Sequence, residues 1–168
     1  RHPNIIWEQL AQDGLYASFI ADGFHLPEAF LKVAFRVKGE KAFLVSDATA
    51  FSGMPAGTYQ SHIGDEVLLD ENGRLCMKAS PDLLAGATKN LLENVEFLLL
   101  TELCSLPEAW QMASTRAAEF LGMPAYSLNS SQLGDVVLFD LSPDKKIQVR
   151  EVYKSGRKVY EKAKHKSE

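Results

Sequence analysis

The 168-residue sequence contains only two cysteines, Cys76 and Cys104, and neither stands in a Cys-x-x-Cys pair. That excludes a disulfide framework, a zinc ribbon and a thioredoxin-like redox site. Both thiols read as small core side chains in a reducing compartment. The histidines His2, His25, His62 and His165 are scattered, with no spacing that sets two imidazoles on one ion. A Gly-x-Ser-x-Gly elbow, a P-loop and a dinucleotide-binding glycine fingerprint are all missing. So is any apolar run long enough to cross a bilayer. Positive charge is not in excess: 18 Lys and Arg against 22 Asp and Glu leave a formal charge of −4. This lacks the one-sided cationic footprint that nucleic acid requires. The basic tail from Lys158 to Lys166 is interrupted by Glu161 and reads as a solvated end. The opening Arg1-His2-Pro3-Asn4 is neither a signal peptide nor a natural initiation site, and the first methionine is Met54. The chain is therefore expected to be part of something longer.

What is present is the composition of a globular domain, 46% hydrophobic and 24% charged. The first half alternates helix and strand. Ile5 to Leu10 has helical spacing, and Ala17-Ser18-Phe19-Ile20-Ala21 is a short apolar strand ending at Asp22-Gly23. A helix follows with Pro27 in its first turn, Phe30, Leu31, Ala34 and Phe35 on one stripe, and Gly39 as C-terminal cap. Ala42 to Ser46 is the next strand, too short for a helix and bounded by breakers. Strand, helix, strand with short loops predicts parallel strands joined by a right-handed crossover.

The middle and the end change character. Glu66 to Asp70 and Arg74 to Met77 flank Asn72-Gly73, a hairpin signal because both residues tolerate positive φ. Thr88 to Leu100 returns to helical spacing. A second helix is predicted from the capping box Ser105-Leu106-Pro107-Glu108 to Gly122. Val136 to Leu141, Ile147 to Tyr153 and Lys158 to Tyr160 then read as strands, with turns at Pro143-Asp144 and Ser155-Gly156. These antiparallel pieces are expected to build one small β-domain from either side of the last helices.

Four polar positions stand at strand ends or beside them: Asp22, His25, Ser46 and Asp47. In α/β barrels catalytic groups sit at the C-terminal ends of the strands, which makes Asp47 a candidate for chemistry. The alternative is a turn-former bonding its own backbone, and Asp22 carries the same two readings. His25 suits anion binding, acid–base work, metal ligation or a plain polar loop. Gly53 and Gly57, around Met54-Pro55, fit a mobile loop better than a phosphate cradle, since no helix pattern follows directly.

Ile20-Ala21-Asp22-Gly23-Phe24-His25 and Leu44-Val45-Ser46-Asp47-Ala48-Thr49 resemble two segments of the N-acetylglucosamine-6-phosphate deacetylases, of the amidohydrolase superfamily. Leu84-Ala85-Gly86-Ala87 is similar to that family's loop before a helix. Trp110 to Thr115 with Leu121-Gly122 is similar to its late helix, and Gly134 to Asp140 to its returning strand. The resemblance implies an α/β fold, the C-terminal part of a (β/α)₈ amidohydrolase barrel plus strands of a small β-sandwich. On that basis residues 1–58 would be the last βα units, 59–80 a β-hairpin insertion, 81–133 the C-terminal helices and 134–168 the strands returning to the sandwich.

The resemblance also implies roles. Asp47 would take a proton from the attacking water and deliver one to the leaving amine. His25 would bind substrate and Arg1 would grip the sugar phosphate, both reaching into the neighbouring subunit of a homodimer. Leu84, Ala85 and Gly86 would line the sugar pocket. A divalent metal, zinc or iron, would be held mainly by residues missing from this chain, none of whose residues is assigned as a ligand. The fragment is then expected to be inactive by itself. Metal-dependent hydrolysis of the acetamide of N-acetylglucosamine 6-phosphate, in the cytoplasm and without nucleic acid or membrane partners, is the expectation. The rivals are an amidohydrolase acting on a different amide or cyclic substrate, and a non-catalytic α/β binding fragment. Two segments depart from the family pattern: Met123 to Leu133 lacks its glycine-rich run, and Phe51-Ser52 replaces a smaller or Pro-containing loop. An isolated half-barrel is also expected to expose apolar edges and to associate.

Overall fold

The computed structural model describes residues 3–62, 64–123 and 134–163. Strand β1 (Ala17–Phe19) and strand β2 (Ala42–Leu44) pair in parallel, with Ala17 opposite Ala42 and Phe19 opposite Leu44. One further bond, Val45 N–H to Phe19 O at 3.0 Å, prolongs the ladder. Before them lies helix α1 (Ile5–Ala11), capped by Asn4, whose Oδ1 accepts from Ile6 N–H at 2.9 Å. Between the strands runs helix α2 (Glu28–Lys38) and then a 3₁₀ turn, Gly39–Lys41. Leu31, Ala34 and Phe35 are its buried stripe, as their spacing predicts. Pro27 stands one position earlier than expected, at the N-cap, while Gly39 ends the helix at φ 53°. Lys38 is buried against the expectation for lysine: its ammonium donates to Gln9 O at 2.6 Å and Gln12 O at 2.8 Å, satisfying carbonyls at the end of α1.

The principal core joins this βαβ unit to helices α3 (Leu91–Leu100) and α4 (Leu106–Ala113). Phe19, Ala21, Leu31, Leu44, Val95, Leu98 and Met112 form its centre, with Phe19 edge-on to Phe35 at 5.4 Å. The α3 helix begins at Leu91, not Thr88, because Asn90 and Glu93 close a reciprocal capping box there. The single helix expected from Ser105 to Gly122 is two: α4 ends at Ser114 (φ −139°, ψ −82°) and α5 (Thr115–Phe120) restarts after it. The Ser114 hydroxyl donates to Trp110 O at 2.6 Å, a local bond of the kind that bends helices.

The middle holds more strand than one hairpin. Strands β3 (Gly57–Gln60), β4 (Glu66–Leu69), β5 (Leu75–Met77) and β6 (Ser80–Leu84) form an antiparallel sheet in that order, around Val67, Leu69 and Leu75. The Asn72-Gly73 turn differs from the expected form, since only Gly73 has positive φ, 82°. The Asp70 carboxylate shapes it, accepting from Asn72 N–H at 2.9 Å and Arg74 N–H at 2.8 Å. Pro81 fits β6 because that edge strand bulges opposite Cys76 and Met77.

Strands β7 (Val136–Leu141), β8 (Ile147–Lys154) and β9 (Arg157–Glu161) make a second antiparallel sheet. Among the described residues it shares no strand pairing with β3–β6, and the two sheets belong to different apolar clusters. It rests on the principal core instead. Ile147 is buried there, and Phe139 stacks on Trp110 at 4.8 Å. Elsewhere Ile5, Trp7, Leu100 and Leu121 are each more than half exposed. No helix among the described residues is long and apolar enough to cross a membrane.

Glu96 of α3 fastens this last sheet. Its Oε1 accepts from Ile147 N–H at 2.7 Å and its Oε2 from Lys146 Nζ at 2.8 Å. The hydrogen bond to Glu96 raises the Lys146 amine above its ordinary 10.5, so the lysine's contribution is fully present below that pH and is lost as pH rises through the raised value. Glu96→Ala should lower stability by about 1–3 kcal/mol, because it orphans a buried N–H. Lys146→Ala should cost about 1 kcal/mol or less, since this amine is largely exposed. Denaturant midpoints check both, and a larger loss at Lys146 contradicts the assignment.

Candidate active site at the strand ends

The turn after β1 is built around two buried polar side chains. Asn94, with no exposed surface, accepts from Ala21 N–H through Oδ1 at 2.6 Å and donates through Nδ2 to Asn90 O at 2.9 Å. One residue on, the Asp22 carboxylate is buried. Its Oδ1 accepts from the backbone N–H groups of Phe24 at 2.9 Å and His25 at 3.0 Å, and its Oδ2 lies 2.8 Å from His25 Nδ1. Gly23 between them has φ 84°, and a Cβ there would stand 2.8 Å from the Phe97 ring. Asp22 is thus a turn-former and, equally, the partner of the His25 ring. The ring itself stays about a quarter exposed at 23%.

The turn after β2 carries Asp47, exposed and at φ 47°, a left-handed conformation that aspartate tolerates. Asp47 lines an open cleft of ≈ 710 Å³ together with Ser18, Ile20, Val45, Ser46 and Leu91. His25 is not part of that wall. Just beyond, Ala48 pairs in parallel with Ala87, and Thr49 donates to Ala87 O through its N–H at 2.8 Å and its hydroxyl at 3.0 Å. The Ser52 hydroxyl donates to Thr88 O at 2.6 Å, and the Thr88 hydroxyl to Gly73 O at 2.6 Å. These bonds hang the Leu84-Ala85-Gly86 loop on the Asp47 turn, with all three residues half-buried.

Sequence reasoning thus finds Asp47, Leu84, Ala85 and Gly86 on two loops that the structure joins, and His25 on a third tied to the start of α3. Arg1 lies outside the described residues. Three contributors escape it. Asn94 could have been noticed as a lone amide one turn after Asn90 in an apolar helix. Thr49 gives no local signal. Lys89, whose ammonium lies 5.7 Å from the centre of the Phe24 ring, gives none either.

A second cavity, of ≈ 310 Å³, is lined by residues that include Leu99, Cys104, Ser105 and Leu141. Burial, with Glu108 nearby, pushes the Cys104 thiol up to about 12, which leaves it protonated and unreactive at neutral pH. Among the described residues no group of three or more His, Cys, Asp or Glu is placed to hold a metal ion. A catalytic ion does not fit these residues taken alone.

No family model matches the chain. Over 97% of its length it is 31% identical to the N-acetylglucosamine-6-phosphate deacetylase of Vibrio furnissii, covering 39% of that protein. It is 30% identical to the putative N-acetylgalactosamine-6-phosphate deacetylase of Escherichia coli K12, over 89% of this chain and 80% of that protein. The crystal structure of the N-acetyl-D-glucosamine-6-phosphate deacetylase from Mycobacterium smegmatis superimposes with a TM-score of 0.75. That match has 24% identity and spans 90% of this chain and 40% of the other. The chain thus shares the fold of part of that structure, an α/β barrel with an attached β-sandwich, and spans about 39% of the length of the Vibrio furnissii relative. The chain belongs to the N-acetylglucosamine-6-phosphate deacetylase family.

Gly86 tests how the loops are joined. Its φ is 124°, and a Cβ would come within 2.5 Å of the Thr49 methyl carbon Cγ2. Gly86→Ala should destabilise by about 1–3 kcal/mol through the strained backbone and the clash together. Adding Thr49→Ser, which removes the methyl and keeps the hydroxyl, should restore part of that loss. An unaltered melting midpoint in Gly86→Ala contradicts the packing described.

Proposed function

We propose that the chain is part of an enzyme that hydrolyses the acetamide of N-acetylglucosamine 6-phosphate to glucosamine 6-phosphate and acetate. The observation that carries this reading is Asp47: an exposed carboxylate at the C-terminal end of a parallel strand, lining an open cleft, in a chain of this family. In the reaction water adds to the acetamide carbonyl and the C–N bond breaks. Asp47 takes the proton from the attacking water and delivers it to the departing nitrogen, so one carboxylate serves first as base and then as acid.

Leu84, Ala85 and Gly86 are assigned to the sugar pocket, which their attachment to the Asp47 turn supports. His25 is assigned to substrate binding, and Arg1 to the phosphate, whose oxygens its planar fork matches bidentately. His25 stands outside the wall of the Asp47 cleft. His25 and Arg1 are assigned to the neighbouring subunit of a homodimer. A divalent zinc or iron ion held chiefly by residues outside this chain, and a cytoplasmic location, belong to the same proposal. So does the division into barrel units (1–58), insertion (59–80), late helices (81–133) and sandwich strands (134–168), although the sheet of the insertion itself runs from Gly57 to Leu84.

In the protein that carries this chain, Asp47→Asn should lower kcat by about 10²- to 10⁴-fold. Metal content and thermal midpoint should stay unchanged, because the side chain is exposed and makes no core contact. Acetate release and elemental analysis measure the two. Near-normal turnover in that variant overturns the assignment.

A further inference from the structure

The Asp22–His25 pair has a chemical consequence that substrate binding by His25 does not require. Asp22 is a carboxylate whose side chain is 1% exposed. Its Oδ1 is occupied by two backbone N–H groups, at 2.9 and 3.0 Å, which leaves Oδ2 to face His25 Nδ1 at 2.8 Å. A carboxylate oxygen offers lone pairs only, so the ring nitrogen facing it must carry the hydrogen. The loop that presents the carboxylate is itself immobilised. Gly23 packs against Phe97 with no room for a Cβ, and Ala21 N–H is held by Asn94.

We infer that Asp22 is a positioning residue that locks His25 in the Nδ1–H tautomer and so presents Nε2 to the substrate as a hydrogen-bond acceptor. Free imidazole favours the opposite tautomer, with the hydrogen on Nε2. The buried carboxylate inverts that preference and also fixes the ring plane. The group that meets Nε2 is then a donor, which points to a sugar hydroxyl in preference to a phosphate oxygen, since a phosphate oxygen offers no hydrogen. Asp22 touches no substrate itself and acts through His25. This inference rests on the substrate-binding role proposed above for His25.

Two measurements test it, and they fail separately. The first is long-range ¹H–¹⁵N correlation on the labelled protein that carries this chain, at about pH 8.5, where imidazoles are ordinarily neutral. His25 should show a protonated Nδ1 and a bare Nε2, the reverse of the free imidazole pattern. Asp22→Asn should return His25 to that free pattern. A His25 that is already free-like, a ring protonated on both nitrogens, or an Nδ1–H that survives Asp22→Asn overturns the inference.

The second is a double-mutant cycle in the protein that carries the chain, read as acetate release. Asp22→Asn should raise KM about 10-fold with kcat little changed, and should add nothing once His25→Ala is present. Effects that multiply mark Asp22 as merely structural and overturn the inference. If unsubstituted protein releases no acetate, the deacetylase reading falls, and the tautomer measurement alone decides the role of Asp22.

Discussion

The strand-end architecture depends on one buried amide. Asn94 has no contact with water, and both ends of its side chain are used, one on the last N–H of the β1 region and one on the cap of α3. A buried amide left half-paired is costly, so this pair of bonds admits one relative placement of strand and helix. Everything functional hangs from that placement. The Asp22 turn starts at the residue Asn94 holds. Phe97, one turn further along the same helix, closes the space over Gly23. The segment entering α3, from Gly86 to Asn90, carries the bonds from Thr49 and Ser52 that anchor the Asp47 turn.

The result is a division of labour between core and loops. Apolar residues of β1, β2, α2, α3 and α4 make a contiguous core that packs the helices against the two parallel strands. The polar side chains of the loops then bond mostly to backbone, Asp22 to its own turn and Thr49, Ser52 and Thr88 across to the next. Side chains used in this way fix loop backbone without filling the cleft. Asp47 is left exposed on the cleft wall, which suits the proton exchange proposed for it. The C-terminal sheet is attached elsewhere, through Glu96 of α3 and the stack of Phe139 on Trp110 of α4.

Local patterns carried much of this fold and little of its polar wiring. The βαβ unit was legible because the Phe30–Phe35 stripe and the short apolar runs have opposite periodicities, and the C-terminal hairpins because Ser155-Gly156 is a strong turn. The four-stranded sheet was half hidden: Gly57–Gln60 has no apolar alternation, and Pro81 reads as a breaker unless the strand is known to be a bulged edge. The break at Ser114 was invisible because Trp110, Met112 and the residues after them keep a helical composition throughout. Asp47 and His25 were legible through resemblance and position at strand ends. Asn94, Lys38, Glu96 and Thr49 were not, since each acts through partners at least 26 residues away that no local window contains. The Asp22–His25 bond is the exception, a local contact three residues apart that spacing permits and only the turn geometry establishes.

The most direct measurement is acetate release by the protein that carries this chain, with N-acetylglucosamine 6-phosphate as substrate. The galactosamine epimer, for which the Escherichia coli relative is named, serves as the comparison. The account predicts turnover of N-acetylglucosamine 6-phosphate with the higher kcat/KM of the two. Release of acetate from neither sugar phosphate contradicts it.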